Sequence, residues 1–149
     1  MIRELAFNDI TGDYFKLLCQ LSGEEKEDNK FIMTSMHARA RFRFWCSYGE
    51  NNDHQVFVYE HEGKVVATAT ILVENKLLHY GSRVGHIEDV VVDKETRLSG
   101  VGKQLINSCV EFSKQKDCYK VILDCGEHNI EFYESCGFRA AEGCMRLDI

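Results

Sequence analysis

The chain has 149 residues, of which 44% are hydrophobic and 28% are charged, with a formal net charge of -6. This length fits one domain spanning residues 1–149, and the composition is typical of a folded protein. An acidic chain without a Lys/Arg cluster argues against a nucleic-acid partner, because phosphate binding needs concentrated basic side chains. No apolar run approaches the roughly 20 residues of a membrane span, and no secretory signal is apparent. We therefore expect no membrane partner and a cytoplasmic protein, with an organelle as the open alternative.

The seven cysteines form an odd set without a Cys-x-x-Cys pair. Such a set fits neither a complete disulfide framework nor a zinc ribbon. We expect free thiols in a reducing compartment and no metal.

The first third of the chain predicts a strand and two helices. Ile2 to Leu5 is a short extended start, and Asn8 or Asp9 can cap a helix that ends at Ser22-Gly23. A second helix is expected from about Phe31 to Trp45, where apolar residues recur at three- and four-residue steps.

The middle of the chain predicts three strands. Gln55 to Tyr59 and Lys64 to Val73 are rich in Val, Thr and Ile, and the joint at 61–64 has a glycine where a tight turn needs one. This pattern indicates an antiparallel hairpin. His86 to Val92 ends in three valines, which is typical of a central strand covered on both faces.

The last third alternates helix and strand. From Gly100 onward, apolar residues mark one face of a helix. Tyr119 to Cys125 is predicted as a second covered strand, His128 to Cys136 as a short helix, and Arg139 to Leu147 as a closing strand. The predicted fold class is α/β.

A glycine-containing loop joins the strand ending in Val92 to the helix after Gly100. Its sequence is Arg97-Leu98-Ser99-Gly100-Val101-Gly102-Lys103. Glycines let the backbone approach an anion, and unpaired N–H groups at a helix start favour phosphate. The loop could hold a diphosphate, although a turn without a ligand is the plainer alternative.

The spacing of this loop excludes two phosphate motifs. A P-loop would need glycine at position 97 and Ser or Thr after Lys103, but Arg97 and Gln104 stand there. A dinucleotide fingerprint would need glycine or alanine at position 105, which is Leu105.

The remaining pattern, Arg-x-x-Gly-x-Gly, resembles the pyrophosphate loop of the GCN5-related N-acetyltransferases. Four further blocks are similar to the glucosamine-6-phosphate N-acetyltransferases within that group: Lys76 to His79, Gly85 to Val90, Cys118 to Cys125 and Asn129 to Phe138. The resemblance implies a mixed, splayed central sheet flanked by helices, and a homodimer with sites completed across its interface. It also implies direct transfer of acetyl from acetyl-CoA to the amine of glucosamine 6-phosphate in a ternary complex.

The resemblance also implies roles for individual residues. The catalytic residues would be Asp124, whose main-chain carbonyl orients the amine, Tyr133, which donates a proton toward the departing sulfur, and Glu88 and Asp89. Acetyl-CoA would be bound by Val90, Val91, Val92, Arg97, Leu98, Ser99, Gly100, Val101, Gly102, Lys103, Asn129 and Tyr133. The sugar phosphate would be bound by Ser22, Lys76, Leu77, Leu78, His79, Glu88, Asp89, Tyr119, Lys120, Asp124 and Arg146.

Several of these residues have plainer interpretations. Tyr133 alone would be a core aromatic and Asn129 a helix cap. Glu88 and Asp89 are adjacent on a strand, so only one side chain should face the substrate. Asp124 lies in an otherwise apolar strand, where an isolated charge is costly, and this favours function.

One position departs from the family pattern. Where the family has an arginine three residues after the methionine that matches Met145, this chain has Asp148. Arg146 lies two residues earlier on the same strand face and could replace it.

Two kinds of alternative function remain open at the level of sequence. The chain could acetylate another amine, such as a polyamine or a protein N-terminus. It could also be a non-catalytic acyl-CoA sensor or a scaffold that keeps only the fold.

Overall fold

The computed structural model describes residues 1–22, 52–96, 98–141 and 143–147. Its centre is a five-stranded sheet in the order β1-β2-β3-β4-β5. The strands are β1 Ile2–Glu4, β2 His54–His61, β3 Lys64–Asn75, β4 Arg83–Val92 and β5 Cys118–Leu123. The helices are α1 Gly12–Ser22, α2 Val101–Gln115 and α3 Ile130–Ser135, with 3-10 turns at Phe7–Asp9 and Glu127–Asn129 and a helical turn at Leu78–Gly81. The first four strands pair antiparallel and β4 pairs with β5 in parallel, which confirms the predicted mixed sheet.

The start of α1 differs from the prediction. The Asp9 carboxylate accepts the N–H of Ala6 at 2.7 Å and so closes the preceding 3-10 turn. Helix α1 begins at Gly12, and the hydroxyl of Thr11 accepts the N–H of Tyr14 at 3.4 Å. Asn8 or Asp9 as the cap of this helix is therefore wrong. The predicted helix at 31–45 lies outside the described residues.

The predicted hairpin is confirmed. Strands β2 and β3 join through Glu62 and Gly63, whose φ angles are +49° and +75°. Positive φ at both central residues gives a turn whose twist matches that of the flanking strands, and glycine adopts it without steric cost.

Strand β4 carries a bulge in its pairing with β3. Thr68 faces Val91 and Thr70 faces Glu88, so the single residue between them on β3 faces two residues on β4. Asp89 in this bulge has a φ of +51°. A bulge bends its strand and increases the local twist, and here it lies just before the three valines.

The main core lies between the sheet and α2. It contains Ala67, Ala69, Ile71, Ile87, Val101, Leu105, Ile106 and Cys109. At Gly85 a side chain would be impossible, because a Cβ there would lie 2.5 Å from Oγ of Ser113. This close approach fixes α2, and therefore the loop that precedes it, against the sheet.

Two strand predictions near the C-terminus need correction. The strand predicted at Tyr119–Cys125 is covered on one face only, because Val121 and Leu123 pack on the core whereas Lys120 and Ile122 are exposed. The closing strand predicted at Arg139–Leu147 is absent: neither 139–141 nor 143–147 pairs with another strand. A strand needs a partner for its backbone hydrogen bonds, and the described part of the chain offers this segment none. Across the described ranges, no helix is long and apolar enough to cross a membrane.

Candidate active site

The candidate site lies where β4 and β5 separate. Their last paired residues are Ile87 and Leu123, and β4 then continues along β3 to Val92. The bulge at Asp89 turns β4 at this point. Beyond the last pair, Val90–Val92 no longer pair with β5 on that side of β4. Backbone groups on such a side of a strand can bind an extended ligand as an added strand does.

The predicted anion loop follows this end of β4. Gly100 has a φ of +80° and caps α2, whose first turn contains Val101, Gly102 and Lys103 and has no acidic residue. Val101 is buried and Leu98 packs on the core, so the loop is anchored from below, whereas Ser99 is exposed. The unpaired N–H groups and the helix dipole make this helix start suitable for a diphosphate. The predicted partner Arg97 lies outside the described residues.

The side chain of Lys103 has a structural partner. Its ammonium donates to the carbonyl of Ser135, at the end of α3, at 2.7 Å. Helix ends leave carbonyl groups unpaired, and a lysine there stabilises them. Lys103 therefore offers the loop its main-chain N–H, while its side chain joins α2 to α3.

Helix α3 sets Tyr133 beside the loop. A Cβ on Gly102 would lie 3.1 Å from Cζ of Phe132, and the Phe132 ring meets the Tyr133 ring at a centroid distance of 5.0 Å. Phe138 contacts the same tyrosine ring at 6.2 Å. The glycine loop, Phe132 and Tyr133 thus form one packed unit.

The Tyr133 phenol is held in its protonated form. Burial raises its pKa, and the charges of Cys125 and Cys136 act in the same direction. A phenol that stays protonated at neutral pH can donate a proton to a developing thiolate. Because burial alone gives this direction, the interpretation of Tyr133 as a packed aromatic stays open beside the catalytic one.

The three predicted carboxylates lie within electrostatic reach of one another. Burial raises the pKa of Glu88, and the negative charges of Asp89 and Asp124 raise it further. Asp124 does not lie within the strand as predicted, because β5 ends at Leu123 and Asp124 is exposed. A carboxylate with a raised pKa is a better base near neutral pH than an ordinary glutamate.

The simple alternation predicted for Glu88 and Asp89 is interrupted. The left-handed backbone at Asp89 belongs to the bulge, and its side chain lines a cavity of about 170 Å³ beside Tyr14 and Thr70. Asp89 therefore faces α1, where it can support Glu88 by its charge.

The thiol of Cys144 contacts Asp124. Its Sγ lies 3.4 Å from Oδ2 of Asp124, and this hydrogen bond raises the pKa of Cys144 while the charge of Arg146 lowers it. The contact brings the predicted Arg146 to the same end of the site. Sequence reasoning missed Cys144 because a lone cysteine in a tail carries no signal for such a contact.

The predicted phosphate binders form two groups. The His79 and Tyr119 rings meet at 4.8 Å, and Nζ of Lys120 lies 5.6 Å from the centre of the Tyr119 ring. Lys76 is not in this group: it pairs with Glu74 at 2.5 Å, and His86 contacts the same carboxylate at 3.0 Å.

The remaining predicted residues occupy loops and ends. Leu77 and Leu78 are exposed beside the turn Leu78–Gly81, and Ser22 is the last residue of α1. The Asn129 side chain makes no capping bond to α3, although it occupies the cap position. No hydrogen bond therefore supports the plainer interpretation of Asn129 as a helix cap. The described ranges contain no cluster of three possible metal ligands.

Comparisons with known proteins point to one family. The model described as the acetyltransferase (GNAT) family matches residues 18–138. The glucosamine 6-phosphate N-acetyltransferase of Trypanosoma brucei brucei is 48% identical over 95 residues, which are 64% of this chain and 65% of the trypanosome protein. This alignment spans just under two thirds of that relative.

Longer matches come from a plant. The glucosamine 6-phosphate N-acetyltransferase of Arabidopsis thaliana is 38% identical over 138 residues, covering 91% of this chain and 87% of the relative. A crystal structure of glucosamine-6-phosphate N-acetyltransferase from Arabidopsis thaliana matches with a TM-score of 0.82 at 36% identity, covering 99% of this chain and 97% of that one.

Proposed function

This chain belongs to the acetyltransferase (GNAT) family, and from that premise we propose that it transfers acetyl from acetyl-CoA to the amine of D-glucosamine 6-phosphate. The products are N-acetylglucosamine 6-phosphate and CoA. The observation that carries the proposal is the separation of β4 from β5 after Ile87, with Glu88 at the point of separation and Tyr133 joined to the glycine loop through Phe132.

The donor fits the residues that are present. The start of α2 offers N–H groups to the diphosphate, and the main chain of Val90–Val92 offers hydrogen bonds to the extended arm. When bound, acetyl-CoA supplies the acetyl group as a thioester. Asn129 and Tyr133 flank the thioester end of the donor in this proposal.

The chemistry needs a base, an orienting acceptor and an acid. Glu88 takes a proton from the acceptor ammonium, and the main-chain carbonyl of Asp124 orients the resulting amine. In the reaction a carbon–nitrogen bond forms as the carbon–sulfur bond breaks, and the sulfur leaves with the electron pair. Tyr133 donates a proton to that sulfur, so the departing group is a neutral thiol. The proton that the attacking nitrogen loses as the amide forms passes to the Tyr133 phenolate and restores the phenol.

In this proposal His79, Tyr119 and Lys120, whose side chains lie close together, bind the phosphate of the sugar. Lys120 precedes Asp124 by four residues, roughly 13 Å of extended strand. This span is longer than a single hexosamine phosphate. We therefore assign the phosphate contacts of one active site to residues of a second copy of the chain.

A homodimer is supported by apolar surface around β5. Among the strands that the structure describes, this one is an edge of the sheet, and large apolar side chains are exposed on it and on the segments beside it. These are Leu77, Leu78, Tyr80, Tyr119, Ile122, Met145 and Leu147. A patch of this kind on an edge strand is typical of an interface. Free thiols at the described cysteines favour a reducing compartment such as the cytoplasm.

The acceptor assignment is tested by removing the phosphate. Free glucosamine should react with a kcat/KM about a hundredfold or more below that of glucosamine 6-phosphate, because two or more charge-assisted hydrogen bonds are lost. Lys120→Ala should lower kcat/KM for the phosphorylated sugar alone. Lys114→Ala is a matched control, since Lys114 pairs with Glu111 on the exposed face of α2.

Thiol release with each sugar on the unmodified protein and the two variants gives six specificity constants. Equal rates for the two sugars in the unmodified protein would contradict the acceptor assignment. An acetyl-CoA-dependent reaction with another amine would then identify a different acetyltransferase of the same family.

A further inference from the structure

A side chain of α1 bridges to the segment that leads into the glycine loop. Nε2 of Gln20 donates to Oδ1 of Asp93 at 3.0 Å, and Oε1 of Gln20 accepts the N–H of Lys94 at 3.2 Å. One amide group thus makes two hydrogen bonds to neighbouring residues, across a sequence separation of more than 70 positions. We call this contact the Gln20 bridge.

Asp93 is the residue at which the loop segment leaves β4. Its N–H donates to the carbonyl of Val66 at 2.8 Å, which ties it to the sheet. Its carboxylate accepts the hydroxyl of Thr96 at 2.7 Å and the N–H of Glu95 at 3.3 Å. Asp93 therefore shapes the turn 93–96, and Gln20 fixes that turn from outside.

The bridge joins α1, which also contacts β3 and β4, to the turn that follows β4. The glycine loop is anchored at its far end by buried Val101. At its near end it depends on the turn 93–96. Hydrogen bonds from Gln20 and Thr96 lower the pKa of Asp93, so the turn is built around a carboxylate that stays ionised.

We propose that Gln20 is a positioning residue for the donor diphosphate, holding the turn 93–96 so that the glycine loop presents its N–H groups in the binding geometry. The inference rests on the proposed function, because it takes the glycine loop as the acetyl-CoA site. Gln20 acts through Asp93 and Lys94 and touches neither substrate. Neither the loop motif nor the acceptor blocks contain it.

The test compares three variants. Gln20→Ala removes both hydrogen bonds. Gln20→Glu keeps the size of the side chain but loses the donor and places a second carboxylate beside Asp93. Lys16→Ala is the control on the same helix, where Lys16 pairs only with exposed Asp13.

The first measurement is the Kd of CoA by calorimetry, without acceptor. Loss of two hydrogen bonds should weaken CoA binding by about three- to thirtyfold in Gln20→Ala. Gln20→Glu should be at least as weak, and Lys16→Ala should match the unmodified protein. Because no acceptor is present, the result does not depend on which amine the enzyme acetylates.

The second measurement compares two acetyl donors with glucosamine 6-phosphate as acceptor. S-acetyl-N-acetylcysteamine reproduces the thioester end of acetyl-CoA and lacks the diphosphate. Its kcat/KM should be the same in all variants, whereas that of acetyl-CoA should fall in both Gln20 variants. A purely structural role for Gln20 would lower kcat/KM for both donors by the same factor.

Three results would overturn the inference: an unchanged Kd in Gln20→Ala, full rescue by Gln20→Glu, or equal losses with both donors. Failure of the unmodified protein to acetylate glucosamine 6-phosphate is a separate outcome. It would remove the acceptor assignment and leave the calorimetric test of Gln20 intact.

Discussion

The donor side and the acceptor side of the site are built in different ways. In the proposed site, the donor side comprises Val90–Val92, the loop Leu98–Lys103 and Tyr133, and the groups that would bind the donor are mainly backbone N–H and C=O groups. The backbone that carries these groups is held in place by buried side chains such as Val101 and Leu105. The proposed acceptor side comprises Glu88, Asp89, Asp124, His79, Tyr119 and Lys120, and apart from the Asp124 carbonyl it would bind its ligand through side chains from separate segments.

This difference indicates which side of the proposed site a single copy of the chain can form. The donor side rests on the core between α2 and the sheet, so one copy of the chain suffices to form it. The acceptor side borders the exposed edge of β5 and a tail, residues 143–147, that pairs with no described strand. We therefore expect changes on the donor side to act in a monomer, and acceptor binding to depend on the second copy.

The largest expected effect is at Tyr133, where the two sides meet. Tyr133→Phe keeps the ring contacts with Phe132 and Phe138 and removes only the hydroxyl. The proton is needed only as the sulfur departs, so kcat should fall by about a hundredfold while both KM values stay within about twofold. Steady-state kinetics with both substrates varied measures this.

Two outcomes would contradict this role for Tyr133. A Phe variant with full kcat would leave Tyr133 as packing and transfer the role of acid to another group. Large changes in both KM values would show that the hydroxyl supports binding, and the two sides would then be less separate than proposed.

A second test disrupts the proposed dimer interface and compares the effects on the donor side and the acceptor side. Tyr80 is fully exposed with a φ of +61°, a conformation that aspartate adopts more easily than a bulky residue does. Tyr80→Asp should therefore weaken the dimer without straining the chain. Turnover of glucosamine 6-phosphate should fall by about tenfold or more at dilute concentration, because a buried charge in an apolar contact costs several kcal/mol.

The internal control is the donor side of the same variant. Its Kd for CoA should equal that of the unmodified protein, and sedimentation should show monomers. A monomeric variant with unchanged acceptor kinetics would contradict the assignment of the phosphate contacts to the second copy.

The sequence predicted the strand and the helix on either side of the glycine loop well because their signals are local. The period change at Gly100, the glycine spacing and the three valines all lie within fourteen residues, and the hairpin turn at Glu62-Gly63 is equally local. Each follows from backbone conformation or from one element's burial pattern. The observed sheet, α2 and α3 agree with those predictions.

The failures share a different cause, because they depend on contacts between distant residues. Helix α1 begins later than predicted because the Asp9 carboxylate accepts hydrogen bonds from Arg3, at 2.6 Å, and from the turn before the helix. The bulge at Asp89 was not predicted, because a bulge is set by the pairing of two strands. The contacts of Cys144 with Asp124 and of Gln20 with Asp93 carry no signal in either local segment.

The smallest expected effect tests whether the donor side tolerates a side chain at Gly102. Gly102→Val places a Cβ 3.1 Å from Cζ of Phe132, so the ring must move, and the added methyl groups crowd the backbone where the diphosphate binds. We expect acetyl-CoA affinity to fall by about tenfold, within the range that overpacking costs, and the KM for glucosamine 6-phosphate to stay unchanged. Gly12→Val is the matched control, because Gly12 also lies in a first helical turn and a Cβ there meets no atom within 4 Å. Calorimetry with CoA on both variants measures the difference. Equal affinities would remove the diphosphate from this loop, and a parallel loss of acceptor affinity would show that Phe132 transmits the strain through Tyr133 to the acceptor side.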